Sequence, residues 1–143
     1  MATKVILVSH GKLSEGVADA VEMVFGKIEA LSYLGLAPDG NVVELIGGLR
    51  ERVASAPDDN FVVLADLFGG SVCNQCLEQL SDFDNVTLVS GLSMGLALSV
   101  LSNIDEPAAA LAEQAVLEAR EGTKVVGLIR ADAPVDSGED DFF

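Results

Sequence analysis

Residues 4–16 read KVILVSHGKLSEG, and this stretch decides the fold. Val5, Ile6, Leu7 and Val8 form a continuous apolar run, the pattern of a strand buried on both faces. Ser9, His10 and Gly11 end the run, and Ser14, Glu15 and Gly16 lead into a helical pattern. His10 therefore stands where a buried strand hands over to a helix. In open α/β sheets ligands bind at that edge. His10 is also the only histidine in the chain. An ordinary imidazole titrates at ~6.5, so it can serve as nucleophile, acid or base near neutrality.

Outward from this stretch, strand and helix patterns alternate. Glu15–Gly26 puts Val17, Val21, Val24 and Phe25 on one helical face, with Gly26 as a stop. Ile28–Leu36 predicts a second strand, and Pro38–Asn41 a turn. Val42–Ala56 reads as a helix in spite of Gly47 and Gly48, because Leu45, Ile46, Leu49 and Val53 share a face. Phe61–Ala65 is a third apolar run, ending at Asp66. Leu67, Phe68, Gly69, Gly70 and Ser71 then lead into a helix to about Leu80. Val86–Ser90 predicts a fourth strand and Leu92–Leu101 a short buried helix. Asp105–Glu121 predicts a further helix with Pro107 near its first position, and Lys124–Ile129 a fifth strand. The alternation implies a doubly wound, mainly parallel α/β sheet of four strands plus a C-terminal strand. Residues 1–131 are expected to form one domain, and 132–143 a loose acidic tail.

Composition narrows the function classes. A chain of 143 residues, half of them apolar, suits one domain with a real core. No apolar stretch reaches the roughly 20 residues that span a bilayer, and no signal-peptide pattern opens the chain, so a cytoplasmic protein is expected. Eight basic against 23 acidic residues give a net charge of -15. That disfavours nucleic acid and anionic membrane, and favours a partner with a basic docking face.

Three groups of residues could carry chemistry. If the first and third strands are neighbours, His10 and Asp66 meet at their carboxyl ends as a candidate catalytic pair. An Asp that accepts one ring N–H fixes the imidazole tautomer and stabilises positive charge when the other nitrogen attacks an electrophile. Gly69, Gly70 and Ser71, between a strand and a helix, form a candidate anion-binding turn with donors from Gly70 and Ser71. It is neither G-x-G-x-x-G nor a Walker loop, so a nucleotide site is not expected. Cys73-Asn74-Gln75-Cys76 is a C-x-x-C that raises a thiol redox reading. With only two cysteines a four-ligand zinc site is out of reach, and no metal or other cofactor is expected. A signalling receiver phosphorylated on Asp66 would need an acidic pair where Ser9 and His10 stand. A regulatory or dimerisation domain stays open alongside the redox alternative.

Four pieces carry a family resemblance: VILVSHGKLSEG (5–16), VVLADLFGGSVCN (62–74), VTLVSGLSMGL (86–96) and EGTKVVGLI (121–129). With them the chain resembles the IIA domain of mannose-type sugar phosphotransferase systems. The resemblance implies a phosphotransferase component that works as a phosphohistidine carrier. His10 would take a phosphoryl group from an HPr-like carrier and pass it to a IIB component during sugar uptake. Asp66 would orient His10, and Gly69, Gly70 and Ser71 would lie over the phosphoryl group. The resemblance also implies a homodimer that exchanges the C-terminal strand, here Lys124–Ile129, and only indirect dealings with the membrane components IIC and IID. Two loops depart from the family pattern. Val72 stands where Pro is usual, and Leu92-Ser93-Met94-Gly95 replaces the usual Asn-Leu-Pro. Neither the transported sugar nor the particular IIB partner is written in these residues.

Overall fold

The computed structural model describes residues 2–127. Strand β1 (Thr3–His10) supplies the constraint that shapes it. Its side chains alternate between faces, and Val5, Ile6, Leu7 and Val8 are all fully buried. A strand apolar on both faces needs a helical layer on each. Val5 and Leu7 join Val62 and Leu64 of β3 (Asn60–Ala65) under α1 (Leu13–Phe25), α4 (Met94–Ser102) and α5 (Ala108–Gly122). Ile6 and Val8 join Phe61 and Val63 under α2 (Val42–Ala54) and α3 (Ser71–Leu80). The remaining strands are β2 (Leu31–Leu36) and β4 (Val86–Ser90).

The sheet order is β2-β1-β3-β4, and every pair is parallel. After β1 the chain goes out to β2, then returns across β1 to β3. The order thus reverses between β1 and β3, the switch point at which doubly wound sheets open a crevice. Val8 pairs with Ala65, so His10 and Asp66 emerge at the same edge and on adjacent strands. The expected α/β fold with a four-stranded parallel sheet is the one observed.

Boundaries differ in places, each for a local reason. The second strand begins at Leu31 rather than Ile28, because the Ile28 carbonyl closes a turn with the Leu31 N–H at 3.2 Å. Helix α1 begins at Leu13 rather than Glu15, because the buried Ser9 Oγ accepts the Ser14 N–H at 2.8 Å and satisfies a first-turn donor. Helix α4 starts at Met94, where Ser93 caps it by accepting the Leu96 N–H at 3.1 Å. Pro107 is the N-cap of α5 rather than its first residue. Of the expected fifth strand, Lys124–Gly127 lie outside the sheet of the single chain, with Val125 and Val126 two-thirds exposed. Residues 128 and 129 and the acidic tail 132–143 lie outside the described residues.

The turn that carries His10 is held from below. The Gly11 N–H donates to the Leu36 carbonyl at 2.8 Å, and the Ser14 hydroxyl donates to the Leu34 carbonyl at 2.9 Å. Both bonds tie the turn to the end of β2. They bring the backbones so close that a Cβ on Gly35 would overlap the Gly11 carbonyl oxygen. A glycine inside a strand marks this kind of close approach.

Gly35→Ala is therefore expected to destabilise the protein by about 1–3 kcal/mol, the usual cost of forcing bulk into a packed place. Gly48→Ala, on an exposed face of α2 where a Cβ meets nothing within 4 Å, is expected to stabilise by about 0.4–1 kcal/mol. Urea titrations of the two variants check the contrast.

Candidate functional site

The site grows from the ends of β1 and β3. His10 is the last residue of β1, and its side chain is half exposed. Asp66 follows the last residue of β3 and keeps only 9% of its side-chain surface. Asp66 Oδ2 accepts the His10 backbone N–H at 2.8 Å and lies 2.7 Å from His10 Nδ1. Its other oxygen, Oδ1, accepts the Leu67 N–H at 2.9 Å. A carboxylate with three partners cannot rotate away. Partial burial works to raise the Asp66 carboxyl, but the His10 backbone and ring, the nearby imidazole and the Leu67 N–H outweigh it and hold it below the ordinary value.

This arrangement assigns the proton on the ring. An ionised carboxylate only accepts, so Nδ1 carries a hydrogen, and in the neutral ring Nε2 keeps its lone pair. Nε2 lies 3.2 Å from Ser71 Oγ, and the hydroxyl donates to it. Ser71 is the first residue of α3, whose N-cap is Gly70. Gly69, with φ +83°, makes the turn before it. The Gly70 N–H donates to the Leu67 carbonyl at 3.0 Å and closes that turn. Gly70 thus gives the loop its shape, and the donor expected of it is committed within the loop. The open donors are the Ser71 hydroxyl and the first-turn N–H groups of α3, which a glycine cap leaves unfilled. Positive dipole, N–H groups and hydroxyl converge beside Nε2, the makings of an anion site.

His10, Asp66, Gly69, Gly70 and Ser71 are thus brought to one edge. Cys73 and Cys76 are not part of it. Both are free and buried, one turn apart on α3, and burial, with Cys73 and Asp66 nearby, pushes the Cys76 thiol up to about 12. Such a thiol is a poor redox nucleophile.

Some residues of the site carried little warning in the sequence. Ser9, Ser14 and Gly35 hold the His10 turn, and of these only the glycine within a strand pattern gave a signal. Asn74, read only as the interior of the C-x-x-C, donates from Nδ2 to the Gly69 carbonyl at 3.1 Å. Leu67 and Phe68, which follow Asp66 in the chain, are 62% and 84% exposed, an apolar pair on the loop that leaves the site.

Residues 4–118 match the family described as the fructose IIA component of the phosphotransferase system (PTS). The chain belongs to that family. It is 30% identical over 98 residues to the sorbose-specific EIIA component of Klebsiella pneumoniae, covering 68% of this chain and 72% of the relative. It is 25% identical over 129 residues to the mannose-specific EIIAB component of Escherichia coli K12, covering 88% of this chain but 40% of that larger protein. The PTS IIA protein associated with the fucose utilization operon of Streptococcus pneumoniae superposes with a TM-score of 0.80 at 27% identity, covering 91% of this chain and 97% of that one. The mannose/sorbose-specific IIA subunit of Enterococcus faecalis shares the fold, with a TM-score of 0.81 at 22% identity over 94% of this chain and 98% of its own. The chain is thus a IIA component of the mannose and sorbose class. Among the described residues no helix is long and apolar enough to cross a membrane.

Because its folded-state carboxyl is held low, Asp66 contributes stability that is complete above the ordinary carboxylate value and is lost as pH falls through the lowered one. Asp66→Asn is expected to cost about 1.5–3 kcal/mol at pH 7, as for hydrogen bonds to a charged group. The gap between variant and native protein should narrow as pH falls below about 4, the ordinary carboxylate value, and through the lowered one. Denaturant titrations across that range check it.

Proposed function

We propose that this IIA component is a phosphohistidine carrier in which His10 Nε2 accepts a phosphoryl group from an HPr-like protein and yields it to a IIB component. The observation that carries the reading is the 2.7 Å bond between His10 Nδ1 and the partly buried Asp66 carboxylate. In the neutral ring it puts the proton on Nδ1 and leaves the Nε2 lone pair facing Ser71 at the start of α3, on a side chain that is half exposed.

The chemistry follows from that placement. Nε2 attacks phosphorus, a new P–N bond forms, and the donor's P–N bond breaks with its electron pair returning to the donor imidazole. The ring of His10 gains positive charge, which the Asp66 carboxylate offsets. Ser71 Oγ turns its proton from Nε2 to a phosphoryl oxygen, and the α3 N–H groups take up further negative charge. Transfer to IIB is the same sequence in reverse on another nucleophile. Asp66 would repel an incoming phosphoryl group were it exposed, but it lies behind the ring, bound to Nδ1 and two backbone N–H groups. The exposed Leu67 and Phe68 offer an apolar contact for the docking partner, and the net charge of -15 steers a basic face toward it.

The same reading makes the protein a homodimer that exchanges Lys124–Ile129. Among the described residues strand β4 ends the sheet, flanked by a groove of about 900 Å³ against α5 whose lining includes Thr87, Val89, Leu96, Ala112 and Val116. An unpaired edge of this kind calls for a cover. The full chain should sediment as a dimer at micromolar concentration, and a monomer there contradicts the exchange.

For the carrier role, His10→Ala should abolish labelling by phosphorylated HPr. Asp66→Asn keeps the shape but removes the charge and permits the wrong tautomer, and should slow transfer by about 10²-fold or more. Ser71→Ala should slow it less, because the helix N–H groups remain. Peptide mapping of labelled protein checks the acceptor, and label on any residue other than His10 overturns the assignment.

A further inference from the structure

We propose that Asn74 is a positioning residue for phosphoryl transfer: its side-chain amide pins the Gly69–Gly70 peptide, which keeps Ser71 and the first turn of α3 aimed at His10 Nε2. The inference rests on the reading of His10 as the phosphoryl acceptor.

An exposed asparagine in a first helical turn has water available and loses little by facing it. Asn74 instead reaches back five residues, and its Nδ2 donates to the Gly69 carbonyl at 3.1 Å. The facing atom must be nitrogen, because a carbonyl oxygen only accepts. Its own backbone N–H makes the first intrahelical bond, to the Gly70 carbonyl at 2.9 Å. Among the described residues no backbone N–H reaches the Gly69 carbonyl.

The peptide so held is intrinsically free to move. It joins two glycines, the first with φ +83°, and glycine gains the most from leaving any one conformation. It is tied at both ends: its N–H gives to the Leu67 carbonyl at 3.0 Å, and its carbonyl receives from Asn74. Ser71 follows directly, so motion of this peptide moves the hydroxyl that lies 3.2 Å from Nε2.

The anchor also resolves a conflict at the start of α3. A Ser, Thr, Asp or Asn at the N-cap would steady the loop but fill first-turn N–H groups with its own oxygen. Gly70 leaves those groups open and the loop unsteadied. Asn74 steadies it by donating, and so consumes none of the N–H groups that an incoming phosphoryl group needs. The role demands a donor at position 74. An aspartate there would face the Gly69 carbonyl without a proton and set a negative charge beside the phosphoryl site.

The test compares native protein with Asn74→Ala, Asn74→Asp and Asn74→Gln, using phosphorylated HPr as donor in rapid-quench single turnovers. At saturating donor the Ala variant should phosphorylate His10 about tenfold more slowly, the effect of losing one well-placed hydrogen bond. Asp should be slower still, and Gln, which keeps the amide, faster than Ala. Half-saturating donor should stay within about twofold and the melting temperature within a few degrees, since the bond lies at the surface. In the unphosphorylated Ala variant the Gly70 amide should exchange its hydrogen faster than in the native protein, a signature independent of transfer. Native rates in the Ala variant, a loss confined to half-saturation, or unchanged Gly70 exchange overturns the role of Asn74 alone. A native protein that takes no label on His10 overturns the phosphoryl-acceptor reading, and this role with it.

Discussion

The Asp66 carboxylate is the constraint on which the site depends. It accepts from a ring nitrogen and a backbone N–H of His10 and from the N–H of Leu67, so one group fixes the tautomer, the ring plane and the path of the loop that follows. Placing a carboxylate with so little exposed surface costs desolvation unless hydrogen bonds to the charged form replace water. Here they do, and the group stays ionised behind the imidazole. A more exposed aspartate would be screened by solvent and free to turn.

The sheet supplies the place for that carboxylate. Because β1 and β3 are adjacent and parallel, two residues 56 apart in sequence meet at one edge without a dedicated loop to join them. The four apolar residues of β1 anchor both helical layers, so the position of His10 is set by the core rather than by a flexible segment. The neighbouring layers share the work. Ser9 and Ser14 tie the start of α1 to β1 and β2, and α3 brings Ser71 to the other side of the ring. A preorganised site of this sort spends little reorganisation on each transfer.

Much of this was legible in the sequence because buried parallel strands leave an unmistakable mark. The run Val5–Val8 and the run Phe61–Ala65 each end in a polar residue, His10 and Asp66, and adjacency of the two strands makes them meet. The turn Gly69–Ser71 was legible as a possible anion site but not in its division of labour, since which N–H groups stay open depends on a hydrogen bond from Gly70 to Leu67 that no pattern announces. Ile28 read as strand because apolar character alone does not tell a turn from a ladder. Gly35 and Asn74 act through single close approaches, one across the fold to Gly11 and one five residues back to Gly69, and period and propensity do not name either partner. Lys124–Ile129 read as a strand from composition, yet among the described residues Lys124–Gly127 join no strand. A strand pattern states an appetite for pairing and not the identity of the partner.

The central claim is that Asp66 holds the Nδ1 proton and so leaves Nε2 as the phosphoryl acceptor. Long-range proton–nitrogen correlation spectra of nitrogen-15 histidine-labelled protein test it directly, since His10 is the only histidine and its signals need no assignment. Before phosphorylation the account predicts a neutral ring protonated on Nδ1, and after reaction with phosphorylated HPr a phosphorus coupling on Nε2. A ring protonated on Nε2 before reaction, or a phosphoryl group on Nδ1 after it, would contradict the account.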